Sequence, residues 1–477
     1  MPAPENSVIC SRSAPARVSR LSLRRPPEWG VEPVPDDKRV LRTFDLFVLW
    51  SSLGVGLLVL AAGDYLVNGY GLNLQELVAV SIAGSVIGSL MVAGAARPGT
   101  RHGVPTMVSL RPIVGRRGSY VPSALNALQL VGWTTFELLV MALAAAVLSG
   151  YPLGPLTPFV FVPVFGGVVL LLALAGPLAV VRAWLERFAI WAVFASTAAI
   201  ALLLAFSGRD LSSAPDTTAM RTPGSVMLAL DLVIVMPISW WPLVSDYNRF
   251  AASPRASALG TVGGLSGANA AFFVLGGALV IFAFSLSPTG GYHDFLMGLG
   301  LLQLGALPLL IILVDETDNA FADVYSTAVS VQNLAPKWGQ ARLIVVATGL
   351  ASGGALYLVF LNEGIGGAYN QFLILIGGVF VPLLGVVIAD AFVVRRAGYR
   401  PDEFGEGAAP VNWAAFAAWA PASLLYYAIF AGWVAGFPPV GATLPSFTLA
   451  AGLHVLFSKV RNRASRIAAE SVPQTVG

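Results

Sequence analysis

The feature that most limits what this chain can fold into is its hydropathy pattern: long apolar runs recur along nearly all of its 477 residues. They fall at about 43–63, 74–95, 119–149, 158–180, 184–207, 225–248, 257–285, 300–331, 342–361, 370–393, 411–435 and 439–458. About 20 helical residues cover the hydrocarbon core of a bilayer, because a helix rises about 1.5 Å per residue. The twelve runs therefore predict twelve transmembrane helices, with tilt or extension in the three longest. A mean hydropathy of +0.76, with 56% hydrophobic and only 11% charged residues, excludes an ordinary soluble globule. The 50 glycines and 32 prolines suit membrane helices, whose neighbours satisfy the backbone groups these residues free.

Charge sets the orientation. Of the 28 Lys and Arg, all but Arg209 and Arg221 lie in the two tails or in the connections 96–118, 181–187, 249–256, 332–342 and 394–410. The positive-inside rule then places both termini in the cytoplasm and the protein in the inner or plasma membrane. Residues 1–42 carry eight Lys or Arg in a Pro/Ser-rich context, have no apolar core and read as a disordered cytoplasmic tail, not a signal peptide. Residues 459–477 form the second tail. The single cysteine, Cys10, rules out an intrachain disulfide. No Walker A loop, histidine cluster or Ser/His/Asp set at membrane depth points to an enzyme, a cofactor or a nucleic-acid partner.

Two spans have flawed interiors. The first contains Ser51-Ser52-Leu53-Gly54-Val55-Gly56 and the sixth Pro237-Ile238-Ser239-Trp240-Trp241-Pro242. Glycines loosen a helix and a proline removes a donor, so each flaw alone could be a simple kink. Their spacing adds meaning. Spans one and six lie five helices apart, so a five-helix unit repeated in tandem would insert upside down the second time. Broken helices at matching places in inverted repeats are a transporter plan that holds substrate and ion on unwound backbone, here at Gly54 and Gly56. The repeats would be 43–207 and 225–393, with spans eleven and twelve (411–458) outside them.

Carboxylates at membrane depth carry the chemistry. Span three places Glu137 one helical turn after Trp133, on the same face. A buried acid is costly there, and the interiors of spans three to eight hold no Lys or Arg to pair with it. Its counterpart is then an ion, a proton or a ligand; the structural alternative is a carboxyl kept neutral. Span eight contains Asp315, Glu316, Asp318 and Asp323 between apolar runs, a pattern that in a helix lines a cation-attracting path and otherwise marks an extracellular loop. A stripe of Asp315, Asp318 and Asn319 is expected. Asp231, Asp45 and Asp390 are weaker candidates, Asp231 lying too near the outer interface and Asp45 and Asp390 too near the cytoplasmic one to set simple solvation aside. Trp133, Trp240 and Trp241 could pack or form interfacial belts, but a ring beside a hydrogen-bonding acid suits a flat heterocycle bearing N–H groups.

These residues resemble a family. Trp29-Gly30-Val31-Glu32-Pro33-Val34-Pro35, Arg101-His102-Gly103-Val104-Pro105, Asn126 to Trp133 and Ser239 to Phe250 are similar to the purine–cytosine permeases of nucleobase–cation symporter family 1, over about residues 28–460. The resemblance implies an all-α, leucine-transporter-like fold of five-plus-five inverted repeats with two extra C-terminal helices, working by alternating access. It implies that Trp133 stacks on the substrate, that Glu137 hydrogen-bonds it, and that Trp240 or Trp241 covers the other ring face. Asp323 matches the span-eight asparagine that contacts substrate. Thr317 and Asp318 match the sodium-coordinating pair, with carbonyls near Val314 and around Gly54 to Gly56.

The departures bear on substrate and ion. Where hydantoin-type members have amides, this chain has acids at Glu137 and Asp323, and an ionised carboxylate only accepts hydrogen bonds. The ligand should therefore present donors or positive charge. Asp318 in place of a hydroxyl can bind sodium or carry a proton, and Asp315 is a second coupling candidate. The expectation is a cation symporter, proton- rather than sodium-coupled, for a nucleobase such as cytosine or a purine. Import of hydroxymethylpyrimidine or thiamine is the alternative, and a channel-like or sensing membrane protein is the reading from another class.

Overall fold

A computed structural model describes residues 30–180, 190–211, 221–222, 224–286, 295–302, 307–361, 365–434 and 438–470, excluding the side chains of 178–179, 296, 300, 307–309, 315, 365–367, 370 and 462–470. The described chain is helical, and apolar side chains from almost every helix merge into one core. In order the helices are α1 (Thr43–Leu53), α2 (Leu57–Asn68), α3 (Leu74–His102), α4 (Thr106–Ser109), α5 (Arg111–Val114), α6 (Tyr120–Leu148), α7 (Thr157–Ala175), α8 (Pro177–Val180) and α9 (Ile190–Ala205). They continue with α10 (Ser225–Ile238), α11 (Val244–Asn248), α12 (Pro254–Leu286), α13 (Phe295–Leu301), α14 (Leu307–Leu334), α15 (Gln340–Leu361), α16 (Ile365–Ala389), α17 (Trp413–Phe430) and α18 (Thr443–Glu470).

Among the described residues eight helices are long and apolar enough to cross a membrane, or nine if α1 and α2 count as one bent span. The other predicted runs coincide with α9, α14 and α18. Only 16 residues of α9 are described, α14 carries the acidic stretch, and α18 runs on into a basic tail. The predicted run 300–331 covers parts of two helices, α13 and α14.

Both predicted flaws are real breaks. The α1 and α2 axes differ by 61° across Gly54–Gly56. In the sixth span Pro237 sits in the last turn of α10, where it supplies no N–H, and the Ser239 N–H reaches both Val235 and Met236 carbonyls. A 3₁₀ turn at Trp241–Leu243 then leads into α11.

The long helix α12 carries α1 and α2 on one side. Gly260, Gly264 and Gly276 lie directly against the backbone of Thr43, Phe47 and Leu60, so any larger residue would push the broken span away. Such small-residue contacts let membrane helices approach closely. On the other side of the break, α14 packs along α6.

Part of the predicted disordered tail is ordered. Residues 30–42 lie against the ends of α3 and α11: Val34 N–H donates to the Gly103 carbonyl (2.8 Å), and Leu41 exchanges backbone bonds with Phe250 and Ala252 (2.9 and 2.7 Å). The fully buried Arg249 donates to the Gly30 carbonyl at 2.8 Å and to the Tyr325 hydroxyl at 3.0 Å. A buried guanidinium with free donors gives this segment a reason to stay. Residues 1–29 lie outside the described residues.

Candidate functional site

The break between α1 and α2 leaves backbone groups without helical partners. Neighbouring side chains meet them. Glu316 Oε2 accepts from the Leu57 N–H at 2.7 Å, Asn319 Nδ2 donates to the Val55 carbonyl at 2.8 Å, and Asn269 Nδ2 of α12 donates to the Gly54 carbonyl at 3.2 Å. Ser52 Oγ donates to Asp318 Oδ2 at 2.6 Å. Three residues of α14, Glu316, Asp318 and Asn319, therefore hold the broken span through two acids and an amide. A glycine at 56 leaves room for this approach: a Cβ there would lie 2.9 Å from Glu316 Oε2 and 3.1 Å from Asn319 Nδ2, and both side chains would have to shift.

Beside this clamp is a cavity of about 30 Å³, lined among others by Gly56, Trp133, Glu137, Met236, Ser239, Trp240, Glu316, Asn319 and Asp323. A water needs about 10–15 Å³ by this measure, so roughly two or three fit and a heterocycle requires the walls to part. Trp133 stands with its edges toward Tyr369 and Phe372, centroids 5.9 and 5.3 Å away. Trp240 is half-buried and meets Trp50 edge-on at 6.4 Å. Glu137 is 3% exposed, and its Oε2 has no hydrogen-bond partner among the described residues. Among the described residues no Lys or Arg lines this cavity. Three carboxyl groups facing one space of low dielectric call for a proton, a cation or ligand donors to balance them.

Predicted site residues divide accordingly. Trp133, Glu137, Trp240, Asp323 and Gly56 face one cavity; Gly54 lies just outside it, against Asn269. Trp241 does not face it. Its ring is fully buried against Phe380, with Nε1 donating to the Phe380 carbonyl at 3.0 Å. Thr317 and Asp318 lie off the cavity wall: the Thr317 hydroxyl donates to the Val314 carbonyl at 2.7 Å, and Asp318 keeps Oδ1 without a partner among the described residues. Of the expected stripe of Asp315, Asp318 and Asn319, the Asp315 side chain lies outside the described residues and Asp318 is off the wall; the α14 residues that line the cavity are Glu316, Asn319 and Asp323, spaced i, i+3, i+7. That spacing, counted back from Asp323, was the signal that would have found Glu316.

Two of the interfacial acids for which solvation was open, Asp231 and Asp390, are buried. Asp231 accepts from the Ala442 and Thr443 N–H groups at 3.2 and 3.1 Å, capping α18. Asp390 accepts from the Tyr399 hydroxyl and contacts His454 Nε2, each at 2.8 Å, with Arg395 at 3.6 Å. Asp45 accepts from the Arg42 N–H at 2.8 Å as a helix cap. Sequence reasoning also passed over a polar ladder on the face of α6 that carries Trp133. Asn333 Nδ2 donates to Ser119 and Ser123 (3.0 and 2.8 Å), Asn126 to Ser330 (2.8 Å), and Gln129 to Asn126 (2.7 Å). Serines and amides at three- and four-residue spacing were its signal.

The chain is similar to known proteins in sequence and in fold. The family described as permeases for cytosine/purines, uracil, thiamine and allantoin matches residues 33–448. The hydantoin permease of Microbacterium maritypicum is 23% identical over 412 residues, covering 81% of each chain. The cytosine permease of Escherichia coli K12 is 24% identical over 387 residues, covering 79% of this chain and 83% of its own. The inward-facing structure of Mhp1 superposes with a TM-score of 0.70 at 18% identity, covering 93% of this chain and 96% of its own. The fold is thus that of an all-helical, leucine-transporter-like membrane protein. This chain belongs to the nucleobase–cation-symport-1 family of permeases, and it is a transporter and not an enzyme.

Proposed function

We propose that the chain is a proton-coupled importer of a nucleobase such as cytosine or a purine, working by alternating access across twelve spans with both termini in the cytoplasm. Residues 43–207 and 225–393 act as inverted repeats that rock against each other around the two breaks, with 411–458 outside them. Trp133 and Trp240 take the two faces of the ring. Glu137 and Asp323 accept from its amino and ring N–H groups, which an aminopyrimidine or a purine supplies on more than one edge.

The observation that carries this reading is the acceptor-rich cavity, above all the buried, unpartnered Glu137 oxygen beside the Trp133 ring. Proton coupling is assigned to Asp318. It has one oxygen on Ser52 and one free of partners among the described residues. The carbonyls that a sodium ion would use, those of Gly54, Val55 and Val314, each accept one hydrogen bond, from Asn269, Asn319 and Thr317, so an ion there would compete with those donors for the carbonyl oxygens. A second reading, import of thiamine or its hydroxymethylpyrimidine precursor, draws support from the three carboxyl groups on the cavity wall, since thiamine is a cation.

Uptake of labelled cytosine, adenine, hydroxymethylpyrimidine and thiamine in a permease-deficient host separates the readings. Accumulation of one of them is expected, with Glu137→Gln abolishing uptake or changing which ring is chosen. Transport of no flat nitrogen heterocycle would overturn both readings, and wild-type uptake by the variant would return Glu137 to a structural role.

A further inference from the structure

The second half of the broken first span begins at Leu57, where the N–H groups of its first turn point out of the helix and its dipole places partial positive charge. In transporters with broken helices this end is where an anionic group of the substrate binds. Here the protein fills it. Glu316 reaches across from α14, its Oε2 lies 2.7 Å from the Leu57 N–H, and the side chain is 1% exposed on the wall of the same cavity as Trp133 and Glu137. A methyl group on Gly56 would crowd the same oxygen, so the backbone leaves a slot for the carboxylate. Two other acceptors on that wall, Glu137 Oε2 and Asn319 Oδ1, are buried without partners among the described residues. The cavity thus offers unused acceptors, while its strongest anion position is taken.

We propose that Glu316 is a specificity-determining residue: a resident carboxylate that occupies the anion position of α2 and excludes rings bearing a carboxylate of their own, while neutral and cationic rings enter. This rests on the heterocycle reading above. A ligand carboxylate entering the cavity would lack the free helix terminus and would meet Glu316, Glu137 and Asp323, and like charges brought together in a desolvated space repel.

The test uses the purified full chain, wild type and Glu316→Gln, with cytosine and cytosine-5-carboxylate as probes, read by competition against labelled cytosine and by thermal shift. Glutamine keeps the length and an oxygen for the Leu57 N–H but removes the charge. Wild type should prefer cytosine by about 100-fold or more. Glu316→Gln should shrink that preference by about tenfold, mainly through tighter binding of the carboxylated ring. A purely structural role for Glu316 would weaken both probes alike, and an unchanged preference in the folded variant would overturn the proposal. If the variant does not fold, Asp323→Asn with Glu316 intact decides: a retained preference for the neutral ring supports Glu316 as the excluding anion, and a preference lost with Asp323, or equal binding of the two probes by wild type, contradicts it. Binding of no heterocycle by wild type would instead remove the reading on which the proposal rests.

Discussion

The two broken spans solve the same problem by opposite means. In the first, the backbone groups freed at Gly54–Gly56 are met by polar and acidic side chains from other helices, chiefly Glu316 and Asn319, with Asp318 on Ser52. In the sixth, the chain largely satisfies itself through a 3₁₀ turn, with Trp240 N–H on the Pro237 carbonyl, and is wedged by the Trp241 ring against Phe380, while Trp240 stands edge-on to Trp50 at the cavity. A clamp of carboxyl groups responds to protons and cations, because its hydrogen bonds depend on charge. A wedge of rings does not. In the function proposed above, the first break serves coupling and the second holds a flat surface in place.

The largest effect that can break this comparison comes from the wedge. Trp241→Ala removes a fully buried indole and its bond to Phe380, and should cost about 3–5 kcal/mol of stability, seen as lost folded protein or a sharply lower thermal transition. Trp240→Ala should behave differently despite being its neighbour. It faces the cavity, so ring affinity should fall about 10- to 100-fold at the roughly 1–3 kcal/mol of one stacking partner, with little change in thermal stability. If both variants lose stability alike, the division between wedge and platform is wrong. The smallest effect belongs to Asp231, which fixes α10 to the start of α18. Asp231→Asn keeps one acceptor and should cost about 1 kcal/mol, with substrate choice unchanged; altered selectivity would bring Asp231 into the site.

The breaks were legible because glycine and proline act locally, and their places at 54–56 and 237–242 needed no tertiary information. The pairing of Trp133 with Glu137 was legible for the same reason, since i and i+4 on one helix face follow from helix geometry. Which face of α14 meets the cavity was not. Three acids and an amide within a few residues, Glu316, Asp318, Asn319 and Asp323, allow more than one stripe, and only the packing of α14 against α6 and the broken span selects 316, 319 and 323 over 318. Trp240 and Trp241 were indistinguishable for a related reason: the 3₁₀ turn that separates their directions depends on the break. The ordering of residues 30–42 rests on Arg249, more than 200 positions away, which no local pattern reveals.

The central claim is that the acidic clamp at the first break couples transport to protons. It is tested most directly by reconstituting wild type and Asp318→Asn in vesicles and following the ring selected by the uptake panel, in sodium-free medium under an imposed inward proton gradient. Wild type should accumulate that ring above its external concentration. Asp318→Asn should bring it only to equal concentrations on both sides. Equal accumulation by the two proteins, or accumulation by wild type that requires sodium and ignores the proton gradient, would contradict the account.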